Sequence, residues 1–262
     1  MKRRVVSLLL VMSMVLMLVA CGGSSIQEST ETPEPTKTPT QLAFDLSKEA
    51  YENINTAYSM LNTISSDIYE AWRVGIDSAS DLKKLANNST PNDGIDLIAK
   101  ELNLSSNEFY EGLKRYHFLT AGIDISDEES INSLTEETKK KVDELIAKFD
   151  ENHDRILYLA IQDDSLFSHC VWGVVHAYKQ NGMFDTVSTL ISDAKQQMKQ
   201  LSNEHSDYEH YPSLKGYFTQ TNALNDFCNS PEGSFDQLVN TINEYRNEAR
   251  KYQNDLNYIF ED

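Results

Sequence analysis

Eight apolar or aromatic positions near the C-terminus, Phe235, Leu238, Ile242, Tyr245, Ala249, Tyr252, Leu256 and Ile259, recur at alternating spacings of three and four. An α-helix completes a turn in about 3.6 residues, so this spacing sets all eight on one face. A stripe of that length can leave water only against other helices, in coiled-coil-like packing. A half-buried strand would need an alternation of period two, which no segment shows, and no repeat of fixed period is present. The chain is therefore expected to be all-α, an elongated antiparallel helical bundle.

The remaining helices are read from the same periodicity. One stripe runs through Leu46, Ala50, Ile54, Ala57, Leu61, Ile64, Ile68 and Ala71 or Trp72, with Asp45 or Ser47 as the cap and Gly75 as the end or bend. A short segment, Ala79 to Asn88, stops before Pro91. Two small helices follow, Ile95 to Leu104 and Phe109 to Ala121, the second opened by the capping box Ser105-Ser106-Asn107-Glu108 and stopped at Gly122. The longest periodic stretch, from about Ser130 to Asn181, carries a seam of Val142, Leu145, Phe149, Asn152, Ile156, Leu159, Asp163, Leu166, Cys170, Gly173 and Ala177. The polar seam members Asn152 and Asp163 favour a break near Asp163, and the small residues Cys170, Gly173 and Ala177 predict a closely approaching neighbour. Phe184 to Asn203, the aromatic segment Tyr208 to Cys228, and a last helix opened by the box Ser234-Phe235-Asp236-Gln237 complete the set. Four long segments (45–75, 130–181, 184–228 and 234–260) joined by short connections should run antiparallel in succession, with the 78–121 pair packed on one side or end.

The N-terminus has a different character. Met1-Lys2-Arg3-Arg4 is basic, Val5 to Ala20 is uncharged and apolar, and Leu18-Val19-Ala20-Cys21 ends the run on a cysteine after a small residue. Sixteen residues at ~1.5 Å each span about 24 Å, short of the ~30 Å hydrocarbon core of a bilayer. These 21 residues resemble the signal sequence and lipobox of a bacterial lipoprotein. The resemblance implies removal of residues 1–20, lipidation (palmitate included) of Cys21 as the mature N-terminus, and anchorage on the extracytoplasmic face of the cell membrane. It covers no more of the chain. Residues 21–41, rich in Thr, Pro and Glu, read as a flexible linker, and 42–262 as one helical domain.

Composition removes several function classes. The formal charge is −18, and the basic leader would leave the mature chain more acidic still. With no basic patch, nucleic acid is not an expected partner. Cys170 and Cys228 lie inside helical apolar patterns and are expected to be free core thiols. The histidines include His169 and His176, seven apart, and His205 with Glu209 at i, i+4, but none fits a ligand motif, so no metal or cofactor is expected. Asp163-Asp164 could form a carboxylate pair only if a cleft held them apart at a defined distance. With no nucleophile elbow and no phosphate-binding loop, the chain reads as a non-enzyme. What remains is a surface: Tyr69, Trp72, Arg73 and Trp172 combine ring area with polar tips, as binding surfaces do. The expected function is a membrane-tethered interaction module for an envelope protein or another envelope component. The alternative is a small-molecule or ion-binding lipoprotein, a sensor or transport accessory, for which a cavity of ~300 Å³ or more lined by Trp72 or Trp172 would speak.

Overall fold

The computed structural model describes residues 37–79, 93–120, 122, 123, 125, 128–162 and 166–261. Among them are nine helices and no strand: α1 (Pro39–Asp77), α2 (Asp93–Glu101), α3 (Ser106–Thr120), α4 (Glu128–Ser133), α5 (Glu136–Gln162), α6 (Leu166–Gln180), α7 (Met183–Glu204), α8 (Tyr211–Asn229) and α9 (Phe235–Phe260). The protein is an all-α helical bundle, and Thr38–Asp262 forms one compact unit. The leader, Cys21 and the segment Ala79 to Asn88 lie outside the described residues, apart from Ala79 itself.

The first helix starts earlier than its apolar stripe suggested. Thr38 Oγ1 accepts from the Gln41 N–H (3.3 Å) and Gln41 Oε1 accepts from the Thr38 N–H (2.9 Å), a capping box with Pro39 in the first turn. Neither Asp45 nor Ser47 caps it. Ser47 is buried instead, its hydroxyl donating to the Phe44 carbonyl (2.9 Å) and to Tyr208 Oη (3.0 Å). Gly75 does not end the helix either; a Cβ there would lie 2.6 Å from Phe167 Cα, so its bare face admits the start of α6. The capping boxes at Ser105 and Ser234 form as their spacing predicts.

α1 is the axis of the bundle, touching α6, α7, α8 and α9. Its buried residues extend well beyond one stripe, to Ala43, Ser47, Tyr51, Tyr58, Ser65 and Val74. Cross-contacts fix the direction of each neighbour. Trp72 meets Phe167, Asp67 accepts from Tyr178, Asn53 donates to Gln197 and Ser47 donates to Tyr208, so the chain from 167 to 208 descends α1 without reversing. α6 and α7 therefore run in the same sense, end to end, and the expectation that successive long segments alternate fails at Asn181-Gly182. Gly182, with φ +78°, breaks the helix and becomes the N-cap of the next one. α8 then climbs (Tyr217 beside Asn55, Cys228 beside Ser65), and α9 descends from Phe235 beside Tyr69 to Phe260 beside Phe44. The result is an up-down-up-down arrangement in which the second rod is the kinked pair α6–α7.

The stretch 130–181 is likewise not one rod. α4 ends at Ser133 and α5 at Gln162, and α6 begins at Leu166. Asp150 of α5 accepts from Tyr110, while Gly173 of α6 lies against Phe109 and Gly112, so positions 150 and 173 meet the same turn of α3. A continuous helix would hold them about 35 Å apart. α5 and α6 are therefore separate helices, and Asp163, Asp164 and Ser165 lie outside the described residues. Within α5 the buried side rotates by one position from the expected seam: Val142 is buried and Ile146 packs on the core, whereas Leu145 is 37% exposed. The side chains of Phe149 and Asn152 are not among those described.

Cys170 and Cys228 are free and buried, and burial pushes both thiols up to about 12. A thiol kept protonated in a core is a poor nucleophile. In native buffer both should resist a thiol reagent and react only after denaturant is added; rapid labelling of the folded protein would contradict this burial.

Candidate functional site

The four residues singled out as a surface fall into two clusters. Tyr69, Trp72 and Arg73 occupy the last turns of α1. Trp72 is 9% exposed, stacked on Phe167 (centroids 4.2 Å apart) and tilted against Phe235 (5.1 Å), so most of its area serves the core. Tyr69 also stacks on Phe235 (5.7 Å) and is 38% exposed. Arg73 is exposed and paired along its own helix with Glu70 and, at 2.6 Å, with Asp77. The guanidinium bonds hold the Glu70 carboxyl below the usual carboxylate range. In water such pairs contribute little, so Arg73 is largely pre-engaged without being strongly fixed.

Trp172 belongs to the second cluster, on α6. It stacks nearly parallel to Tyr116 of α3 (5.7 Å, 7°) and tilts against His176 (5.8 Å), with Lys179 Nζ 5.9 Å from its ring centre. His169 meets the edge of Tyr116 at 4.9 Å. His169 and His176 are thus engaged with rings. No ring contact among the described residues joins this cluster to that of Trp72.

The described residues hold no group of three His, Cys, Asp or Glu side chains able to grip a metal ion. His205 and Glu209, expected one helical turn apart, fall instead in the α7–α8 connection, where Glu209 pairs with His210 (3.2 Å). Both line an open cleft of about 360 Å³ with Pro39, Ala43, Asp207 and Tyr208. A second open depression, about 530 Å³, lies at the end of α9 between Asn254, Asn257, Tyr258 and Glu261. Neither Trp72 nor Trp172 lines either one. Both flank the end of the bundle where the chain enters α1, and Leu42, Phe44 and Tyr258 (80% exposed) are bare there.

A polar network went unnoticed in the sequence. Between α1 and α9, the Arg246 guanidinium reaches the Asn62 carbonyl, Ser65 Oγ (2.7 Å) and Ser66 Oγ (2.7 Å), while Tyr58 donates to the Arg246 carbonyl (3.0 Å). Lower down, Asn55 Oδ1 accepts from Tyr217 (3.0 Å) and Gln253 (2.6 Å), and Tyr51 donates to Glu261 (2.7 Å) and to Asn257. Burial first, and the Glu261 bond second, raise the Tyr51 phenol above its ordinary range. The legible signal was the run 53–66, which contains no charged residue in a chain that is 24% charged.

No family model matches the chain, and no curated protein and no solved structure matches it either.

Proposed function

We propose that the protein is a lipid-anchored, extracytoplasmic interaction module: a helical domain tethered through Cys21 that binds an envelope component without catalysing a reaction. The observation that carries this reading is Leu18-Val19-Ala20-Cys21 closing a basic and apolar leader. The early helix start refines the tether. If Cys21 is the anchor and α1 is capped at Thr38, sixteen residues lie between them. α1 itself, at 39 residues, is about 58 Å long. A domain confined in this way meets a partner in the same membrane at raised effective concentration, and a weak intrinsic affinity suffices. One acyl chain holds only marginally, so stable anchoring requires the two or more chains of a lipoprotein cysteine.

Cys21→Ala tests the reading. The variant should take up no labelled fatty acid and should leave the membrane fraction, while its helical circular dichroism signal persists. Retention of label and of membrane association by the Ala variant would remove the basis of the proposal.

A further inference from the structure

The chain carries 41 acidic side chains against 23 basic ones, yet the guanidinium of Arg246 meets no carboxylate. Its Nε and Nη2 are spent on Ser65, Ser66 and the Asn62 carbonyl. Nη1 bonds to nothing among the described residues and is not fully buried, on a side chain that is half-buried. One turn further along α9 stands Arg250, exposed and likewise without an ion pair among the described residues. Two cations at i, i+4 repel and destabilise the helix that bears them. Burial chiefly lowers the Arg246 guanidinium's affinity for its proton; Cys228 and Tyr58 act against this, and Arg250 adds to it.

The facing side of α1 has no carboxylate to offset them. From Asn53 to Ser66 that helix has no charged residue, and it presents Asn62 and Ser66 on or near the surface beside Arg246. Glu248, the acid lying between the arginines in sequence, is paired with Lys251. The α1–α9 groove thus carries two arginines with which no carboxylate among the described residues pairs, in a strongly acidic protein. Its Arg246 is held in a fixed orientation by three oxygen partners, which lowers the entropy lost when an anion docks.

We propose that the α1–α9 groove is a phosphate-binding site, in which Arg246 Nη1 and the guanidinium of Arg250 grip the oxygens of one phosphate group. Arginine forks suit this task because their planar donors match pairs of phosphate oxygens. The phosphate could belong to a free ion or to a polyol phosphate of the envelope, a lipid headgroup included. The chemistry of the grip is the same.

The test is calorimetric titration of the purified full chain with inorganic phosphate and, separately, with glycerol phosphate, at constant ionic strength and with chloride as the control ion. Saturable binding of either ligand but not of chloride is expected, weakened about tenfold in Arg250→Gln with an unchanged thermal midpoint. Tighter binding of glycerol phosphate assigns the site to an envelope polyol phosphate, and equal or tighter binding of the inorganic ion assigns it to free phosphate. Arg246→Gln should also lose binding, but because that side chain bridges two helices, Arg250→Gln is the deciding variant. Absence of saturable binding by both phosphates, or the same affinity in Arg250→Gln as in the unaltered protein, overturns the proposal.

Discussion

Leu256→Asp is expected to unfold the domain or to lower its thermal midpoint by about 10 °C or more. Leu256 is 0% exposed, on the face of α9 that packs against α1 and α8. Removing the isobutyl group costs roughly 2 to 5 kcal/mol, and an unpaired carboxylate in the same place adds a desolvation penalty of comparable size. At about 2 to 4 °C per kcal/mol for a domain of this size, a loss of 4 kcal/mol or more gives the stated shift. Leu238→Asp, near the other end of the stripe, should behave alike. Asn240→Asp, on the exposed side of the same helix, should leave the midpoint within about 1 °C. Circular dichroism melts of the three variants decide the matter, and equal midpoints would mean that α9 is rotated from the face described.

Gly112→Leu is expected to detach α3 while the bundle around α1 persists. A Cβ on Gly112 would sit 2.4 Å from the Gly173 carbonyl oxygen and 2.8 Å from Gly173 Cα, and both are backbone atoms that cannot rotate away. On the opposite side Gly173 lies under the buried ring of Phe109, to which its own Cβ would come within 2.7 Å. Overpacking of this kind costs about 1 to 3 kcal/mol, and because α3 is joined to the bundle chiefly through α6, the strain falls on that joint. Hydrogen exchange at the α3 amides should accelerate about tenfold or more, whereas α8 and α9 keep their protection. Leu119→Gln, exposed on the same helix, is the matched control. Unchanged α3 protection in Gly112→Leu would show that the helix pair can spread at no cost.

How far the sequence could be read differs from element to element. The α9 stripe, the α1 stripe and the capping boxes at Ser105 and Ser234 depend on neighbours three or four residues away, and all of them form. Of the small residues Cys170, Gly173 and Ala177, Gly173 meets the close neighbour it announced, although Gly112 as the partner was not legible, because nothing local links two glycines so far apart in the chain. Thr38 was missed as a cap because the first turn it opens, with Leu42 and Phe44 largely exposed, has little apolar pattern of its own. Among the site candidates, Tyr69 and Arg73 are exposed as their types suggest. Trp72 turns inward because α6 and α9 bring Phe167 and Phe235 against it.

Sequence alone determined the fold class, the stripes that must leave water and the ends of most helices, since periodicity and capping act within a turn or two of the chain. The leader and Cys21 are likewise a local signal, and it is the one on which the tethering proposal rests. Only the tertiary structure decided direction and neighbourhood: that α1 is the axis, that Asn181-Gly182 carries α6 into α7 without reversal, that α5 and α6 both meet the same turn of α3, and that Arg246 reaches a stretch of α1 without carboxylates. The physical reason is that a glycine break costs about the same whether the chain turns back or goes on. The choice belongs to the apolar surface each path would bury, and here α1 offers α6 and α7 one continuous side.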